Sequence, residues 1–431
     1  VAHHNSKTAH RRAAKQTAPV RPPHDEKVTS FTATLMTKAF PKKPHQDLPL
    51  EPFAAMAYSA ELSLKQEALD MFWRAHRLDP KPPPILASPQ PRHYRTTTKR
   101  RVSVYHKNII LSAQSAKNAT PAQQRRSLLE PQSHGHIYQF LEEKLNGTAY
   151  RQLAEHLNAV MIRGYHEELS VIFNIDLLNA ELTRKLKLLA EHLQTLPQKI
   201  VSAFVFQDGS RSSYSFEQRR PAVRVPFKRL FGKERLYLNI LGKTWCYHPT
   251  AFSQVSEAML PILLSTAENM LCPFASRLLD LYCGYGLFGL FLSERYNEIV
   301  GYDAEGVAIQ SAKENAAHLR TKSKIAFYAG RITGEMLVQR LPPVHQSEHI
   351  LLDPPRQGVE DKVIEVLAAR RPERVLHIFC GVDEIPHELK AWKKCGYVPV
   401  GVQALDMFAG TPHLEIMILL SRKKRDDYFC T

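Results

Sequence analysis

Residues of chemical interest fall at the ends of apolar runs in the C-terminal half of the chain. In LLDLYCGYGLFG (278–289) an apolar strand leads into a glycine turn and then a helix, so backbone at Gly284 and Gly286 can approach a ligand closely. Nineteen residues after Gly284, Asp303 closes the run EIVGYD, where a carboxylate can accept hydrogen bonds from both hydroxyls of a ribose. HILLDPPRQG (349–358) carries Asp353 and Arg356 past another apolar run, and VLHIFCGVDE ends its own on Cys380. A thiolate at such a place is a nucleophile. In isolation, however, a buried strand cysteine is more often a small core residue.

The surrounding pattern supplies the elements that must hold these groups. From about residue 247 the runs RLLDLYC, EIVGYD, KIAFYAG, HILLDPP, RVLHIFC, YVPVGVQALDMF and LEIMILLSR alternate with helical segments. That alternation predicts an α/β fold, with a Rossmann-like domain over 247–422. Residues 92–246 mix alternating strand patterns such as KIVSAFVFQ with helical ones such as AELTRKLKLLAEHL and predict an α+β region. Residues 50–91 predict a helical segment over PFAAMAYSAELSLKQEALDMFWRAHRL, ended by the Pro-rich KPPPILASPQP. Residues 1–49 read as a basic extended arm and 423–431 as a basic tail.

Composition narrows the function. The chain has 431 residues and 44% hydrophobic content, enough to fill the cores of two or three domains. No apolar run is long enough to span a membrane as a helix, so no membrane partner is expected. The six cysteines lack CxxC spacing, which argues against a structural zinc or an iron–sulfur cluster and for a reducing compartment; no metal is expected. The net charge is +16, and residues 1–127 hold 22 Lys+Arg against 8 Asp+Glu, so +14 of it lies in the first third. A basic arm beside a near-neutral body suits a polyanion, because Lys and Arg gain affinity by releasing counterions from phosphates. A solvated tail would have the same composition.

GYGLFG lacks a clean pyrophosphate fingerprint and its helix start offers no Lys for phosphate, so S-adenosyl-L-methionine fits this turn better than a dinucleotide. The DLYCGYGLFG run, the acidic strand end at Asp303 and the helix AEGVAIQSAKENAAHL resemble the cofactor half of class I methyltransferases. Arg356 in DPPR, Cys380, and DMFAGTPHLEIMILL are similar to the corresponding motifs of the RNA uracil-C5 methyltransferases. So is YHPTAFSQVSEAM, which resembles that family's FFQxN segment. The resemblance covers roughly residues 90–422 and is strong from 247 onward.

The resemblance implies roles. Gln254, Tyr282, Gly284, Gly286, Asp303 and Asp353 would contact the cofactor, Arg356 the uracil. Uracil C5 is a weak nucleophile, so Cys380 would first add to C6, and Glu415 would later remove the C5 proton. The substrate would be a uridine of structured tRNA or rRNA, presented unstacked. Glu415 could equally be an ordinary strand residue. The chain departs from the family at Gly381-Val382, where Asn-Pro is usual, and at Ser256, Leu287, Asp303 and Ala409, where Asn, Asn, Glu and Pro are usual. These departures keep a second reading open, a weakened homologue that binds RNA as a ribosome assembly factor and uses its arm to grip a large ribonucleoprotein. The Arg-containing, acid-poor beginning leads us to expect a mitochondrial location, with the cytoplasm as the alternative.

Overall fold

The structure is a computed structural model that describes residues 30–42, 48–113, 120, 125, 127–164, 168–209 and 227–423. Most of the expected arm and the tail beyond Lys423 lie outside these residues.

The arm expectation fails at its C-terminal end. Phe31–Ala39 form a helix, α1, because Ser30 caps it through its Oγ on Ala33 N (3.2 Å) and because Phe31, Leu35 and Met36 fall on one face and are buried. Helix α2 (Tyr58–Ala75) follows, burying Leu69, Phe72 and Trp73. Both helices pack into the core of the C-terminal domain: Phe31, Leu35, Phe53, Leu69 and Phe72 share one cluster with Leu279, Ile350, Val363 and Leu414. Each such side chain stabilises by roughly 1.5–3 kcal/mol. The N-terminal helices are therefore structural members of that domain.

The central region is α+β, as expected. Strands β1 (Thr97–Tyr105) and β2 (Asn108–Ser112) form a hairpin whose turn residues His106 and Lys107 both have positive φ, matching the twist of the strands. Helices α3 (Gln132–Asn146) and α4 (Arg151–His156) precede β3 (Leu157–Arg163) and β4 (Leu169–Ile175); α5 (Ala180–Leu193) crosses over to β5 (Ile200–Gln207), and β6 (Phe227–Gly232) completes the sheet. Its order is β2-β1-β3-β4-β5-β6, with only β4 and β5 parallel. Leu141, Leu186 and Val171 meet where the helices cover one face.

A hairpin of β7 (Leu236–Ile240) and β8 (Lys243–Tyr247) and helix α6 (Leu260–Leu271) lead into the C-terminal sheet. Its elements run β9 (Arg277–Leu281), α7 (Leu287–Phe291), β10 (Glu298–Asp303), α8 (Gly306–His318), β11 (Lys324–Ala329), α9 (Gly334–Arg340), β12 (Glu348–Leu352), α10 (Val363–Ala369), β13 (Arg374–Phe379), α11 (Ile385–Lys394), β14 (Tyr397–Leu405) and β15 (Glu415–Arg422). The order is β11-β10-β9-β12-β13-β15-β14, parallel from β11 to β13 and antiparallel beyond. The chain moves outward from β9 to β11 and then returns to β12 on the other side of β9. That reversal opens a crevice at the carboxyl ends of β9 and β12, the place where open α/β sheets bind ligands.

Candidate active site

Hydrogen bonds and electrostatic contacts link Gly284, Asp303, Asp353, Gln254, Cys380, Arg356 and Glu415 at these strand ends. The β9 turn comes first. Tyr282 has φ 63°, Gly284 φ 55° and Gly286 φ 84°, so the chain coils left-handed as it leaves the strand. A Cβ on Gly286 would meet Leu290, Phe327 and Ala312 side chains at 2.9–3.2 Å, whereas one on Gly284 would meet nothing within 4 Å. Gly286 thus serves close packing and Gly284 faces open space. Asp303 fixes the turn: its Oδ2 accepts from Gly284 N at 2.9 Å and its Oδ1 from Glu305 N at 2.7 Å. Beneath lies the fully buried Asp280, whose Oδ2 accepts from Gly289 N at 2.9 Å and whose carboxyl burial pushes up to about 7.

On the other side of the crevice, Asp353 follows β12, its N donating to Leu281 O at 3.3 Å. Gln254 approaches from the loop before α6 and donates from Nε2 to Asp353 Oδ2 at 3.4 Å. Cys380 follows β13. Because Phe379 pairs with Ile416 in antiparallel register, the next residues along, Cys380 and Glu415, are brought side by side at the strand ends. The Cys380 Sγ sits 3.9 Å from Pro354 O, and Arg356 of the same loop leans to His413 (Nη1 to Nε2, 3.4 Å) with its guanidinium 5.5 Å from the Phe408 ring centre. Arg356, Cys380, Gly381 and His413 line a cavity of about 190 Å³.

Electrostatics favour the neutral acids here. Burial drives Glu415 well above the ordinary carboxylate range, Asp353 adds to this and Arg356 opposes it. Asp353 rises for the same first reason, reinforced by Asp303. The Cys380 thiol is pushed up by burial and then by Glu415 and Asp353, with Arg356 again the opposing cation. A thiol, two carboxyls and one guanidinium therefore share a small, poorly solvated space in which a proton can pass between acid groups.

Several contributors escaped sequence reasoning. His413 lies inside the quoted DMFAGTPHLE run, two residues before Glu415. Burial first, then the Arg356 charge, lowers it to about 3, so it is a neutral imidazole beside Arg356. Phe31 and Thr32 of α1 line the same cavity. Asp383, just past Cys380, holds them there by accepting from Phe31 N (2.7 Å) and Ser30 Oγ (3.1 Å). The only sequence signal for α1 was the apolar spacing in FTATLM, submerged in a polar stretch.

The turn suits a nucleoside cofactor: open space over Gly284 and a buried Tyr282 hydroxyl without a hydrogen-bond partner among the described residues.

Residues 218–423 match the model of the family described as tRNA (Uracil-5-)-methyltransferase. A 23S rRNA (uracil(747)-C(5))-methyltransferase of Pyrococcus abyssi is 27% identical over 226 residues, 52% of this chain and 52% of that protein. A human tRNA (uracil-5-)-methyltransferase homolog A is 30% identical over 251 residues, 54% of this chain and 38% of that one. The chain thus spans about half or less of the length of these curated relatives. The crystal structure of Pyrococcus abyssi tRNA (uracil-54, C5)-methyltransferase in complex with S-adenosyl-L-homocysteine superposes with a TM-score of 0.62 over 86% of each chain, at 18% identity, and so shares the fold. The stretch that matches the tRNA (Uracil-5-)-methyltransferase family model, residues 218–423, holds the β9 turn, DPPR, Cys380 and Glu415.

Proposed function

We propose that the protein transfers a methyl group from S-adenosyl-L-methionine to C5 of a uridine in structured tRNA or rRNA, with Cys380 as nucleophile and Glu415 as base. The observation that carries this reading is the adjacency of Cys380 and Glu415 at the ends of β13 and β15, beside a cavity that Arg356 also lines. Gly284, Gly286, Asp303, Tyr282, Asp353 and Gln254 would hold the cofactor, which supplies an electrophilic methyl group.

The chain's own residues account for the remaining steps. The reaction draws on the ionised forms of the two carboxyls: Cys380 gives its proton to Asp353, which leaves Glu415 able to accept one, and its sulfur adds to C6, moving the C5–C6 electron pair onto C5, where the new carbon–carbon bond forms. Arg356 is the cation that favours the thiolate, and it can donate to a uracil carbonyl that gathers negative charge. Glu415, held ready as a base by its place beside Cys380, removes the C5 proton. The C5–H pair then re-forms the double bond, and the C6–S pair leaves with Cys380. His413, neutral and 3.4 Å from Arg356, orients that guanidinium.

An assembly role without chemistry would need neither Cys380 nor Glu415, and no feature of the described residues favours it over the enzymatic reading. The test is tritium release from RNA labelled at uracil C5, using unmodified tRNA and rRNA transcripts with S-adenosyl-L-methionine. We expect release with the full chain and none with Cys380→Ala; no release from any transcript by the unaltered protein would overturn the reading.

A further inference from the structure

The segment that joins β14 to β15, residues 406–414, carries Phe408 and His413 and runs directly into Glu415. It is held by charges that come from α2. Lys65 Nζ lies 2.7 Å from Asp406 Oδ1 and 2.8 Å from Glu61 Oε1, and all three residues are fully buried. The same Glu61 oxygen accepts from Gly410 N at 2.6 Å, while its Oε2 accepts from Arg92 Nη2 at 2.9 Å. Tyr58 donates to Asp406 Oδ2 at 3.0 Å. Two neutral bonds complete the hold: Phe53 N to Gly410 O (3.2 Å) and Tyr94 Oη to Ala409 O (2.9 Å). Every one of these holding residues precedes the stretch that matches the family.

Buried charges are an expensive way to stabilise a core, since desolvation offsets most of the Coulomb attraction and apolar groups of the same shape do as well. What they give is direction. Lys65 and Arg92 balance Glu61 and Asp406, so the network is neutral only in this one arrangement, and shifting the segment would strand a charge in an apolar core. The Gly410 amide, at the middle of the segment, is fixed to Glu61, and Leu405 and Glu415, which flank its two ends, pair across the strands. The Lys65 charge is also felt at His413.

We propose that Lys65, acting with Glu61 and Asp406, is a positioning residue for the reaction: it sets the register of the 406–414 segment and hence the placement of His413 and of the base Glu415. The inference rests on the proposed methyl transfer. It makes the N-terminal helices part of the catalytic apparatus and assigns their effect to one step, removal of the C5 proton after the methyl has arrived. Misplacing Glu415 leaves Cys380 bonded to C6 of a C5-methylated base, because the C6–S bond cannot break until the C5–H pair is released.

The test uses the full chain with Lys65→Met and Asp406→Asn combined, which replaces the ion pair by neutral groups of similar size. Unmodified tRNA and rRNA transcripts and S-adenosyl-L-methionine are supplied. We expect kcat to fall about 100-fold, the scale of an ångström-sized misplacement, with KM little changed and a denaturant-resistant protein–RNA adduct accumulating on ordinary uracil. Tyr58→Phe, which keeps every charge and removes one bond to Asp406, should raise the adduct fraction in the same direction by a smaller factor, and it decides the matter if the double variant does not fold. A kcat within about twofold of the unaltered protein, or a fall without adduct, overturns the inference. Failure of the unaltered protein to form an adduct with 5-fluorouracil RNA would instead overturn the reading on which it rests.

Discussion

Gly381 offers a sharp test of the packing just past Cys380, the proposed nucleophile, where the chain departs from the motif it resembles. A Cβ built on Gly381 would lie 2.7 Å from the backbone oxygen of Arg356, where ordinary contact begins at 3.4 Å. The backbone φ is −119°, which any residue adopts, so the constraint is space and not strain. To restore ordinary contact an added methyl must push the Arg356 carbonyl back by about 0.7 Å. That carbonyl belongs to the loop whose Pro354 oxygen sits 3.9 Å from the Cys380 sulfur. Overpacking of this kind costs about 1–3 kcal/mol of stability, and a displacement near 1 Å costs about 100-fold in rate. We expect Gly381→Ala to lower kcat by about 10- to 100-fold with a small loss of Tm. Gly381→Asn, which puts back the family's usual residue, should do at least as much damage. Steady-state turnover on unmodified RNA transcripts reads this directly. Turnover equal to or above that of the unaltered protein for Gly381→Asn would refute the packing account.

Asp303→Ala removes the acceptor that fixes Gly284 N, and S-adenosyl-L-homocysteine titrated calorimetrically should bind about 10- to 100-fold more weakly, the worth of a charge-assisted hydrogen bond. Asp280 has a folded pKa near 7, above the usual unfolded value near 4. The stabilisation from its protonation is complete below pH about 4 and is lost as pH rises through about 7. Asp280→Asn should therefore gain in Tm over the unaltered protein at pH 8, and the gain should shrink toward pH 5; thermal melts across that range check the sign. Asp383→Ala frees the N-terminus of α1, with a local cost of about 1 kcal/mol, and should speed hydrogen exchange in residues 32–39 while leaving the β3–β4 amides unchanged.

Much of the site was legible because it is local. The β9 turn and Asp303 lie one strand and one helix apart, and strand-end placement follows from the alternation of apolar runs. Cys380 and Glu415 came from motifs, and the antiparallel pairing of β13 with β15 brings these residues, distant in sequence, side by side. The N-terminal contribution was not legible, for a physical reason. Lys65 reads as a solvent-facing helix residue, and only partners far along the chain, Asp406 above all, let its charge be buried. Asp383 and Phe31 meet across a similar gap. Apolar periodicity reports which face of a helix turns inward, not which remote segment waits there. The expected extended arm gave way to α1 for the same reason: a nine-residue helix is marginal alone and gains its stability from the core it joins.

The central claim is that Cys380 attacks C6 of a uracil in RNA. Incubation with 5-fluorouracil-substituted tRNA and rRNA in the presence of S-adenosyl-L-methionine, followed by digestion and mass spectrometry, tests it directly, because fluorine at C5 cannot leave as a proton and the adduct is trapped. The account predicts a methylated fluorouracil nucleotide attached to the peptide containing Cys380, absent from Cys380→Ala. Lack of any covalent adduct, or attachment at another cysteine, would contradict it.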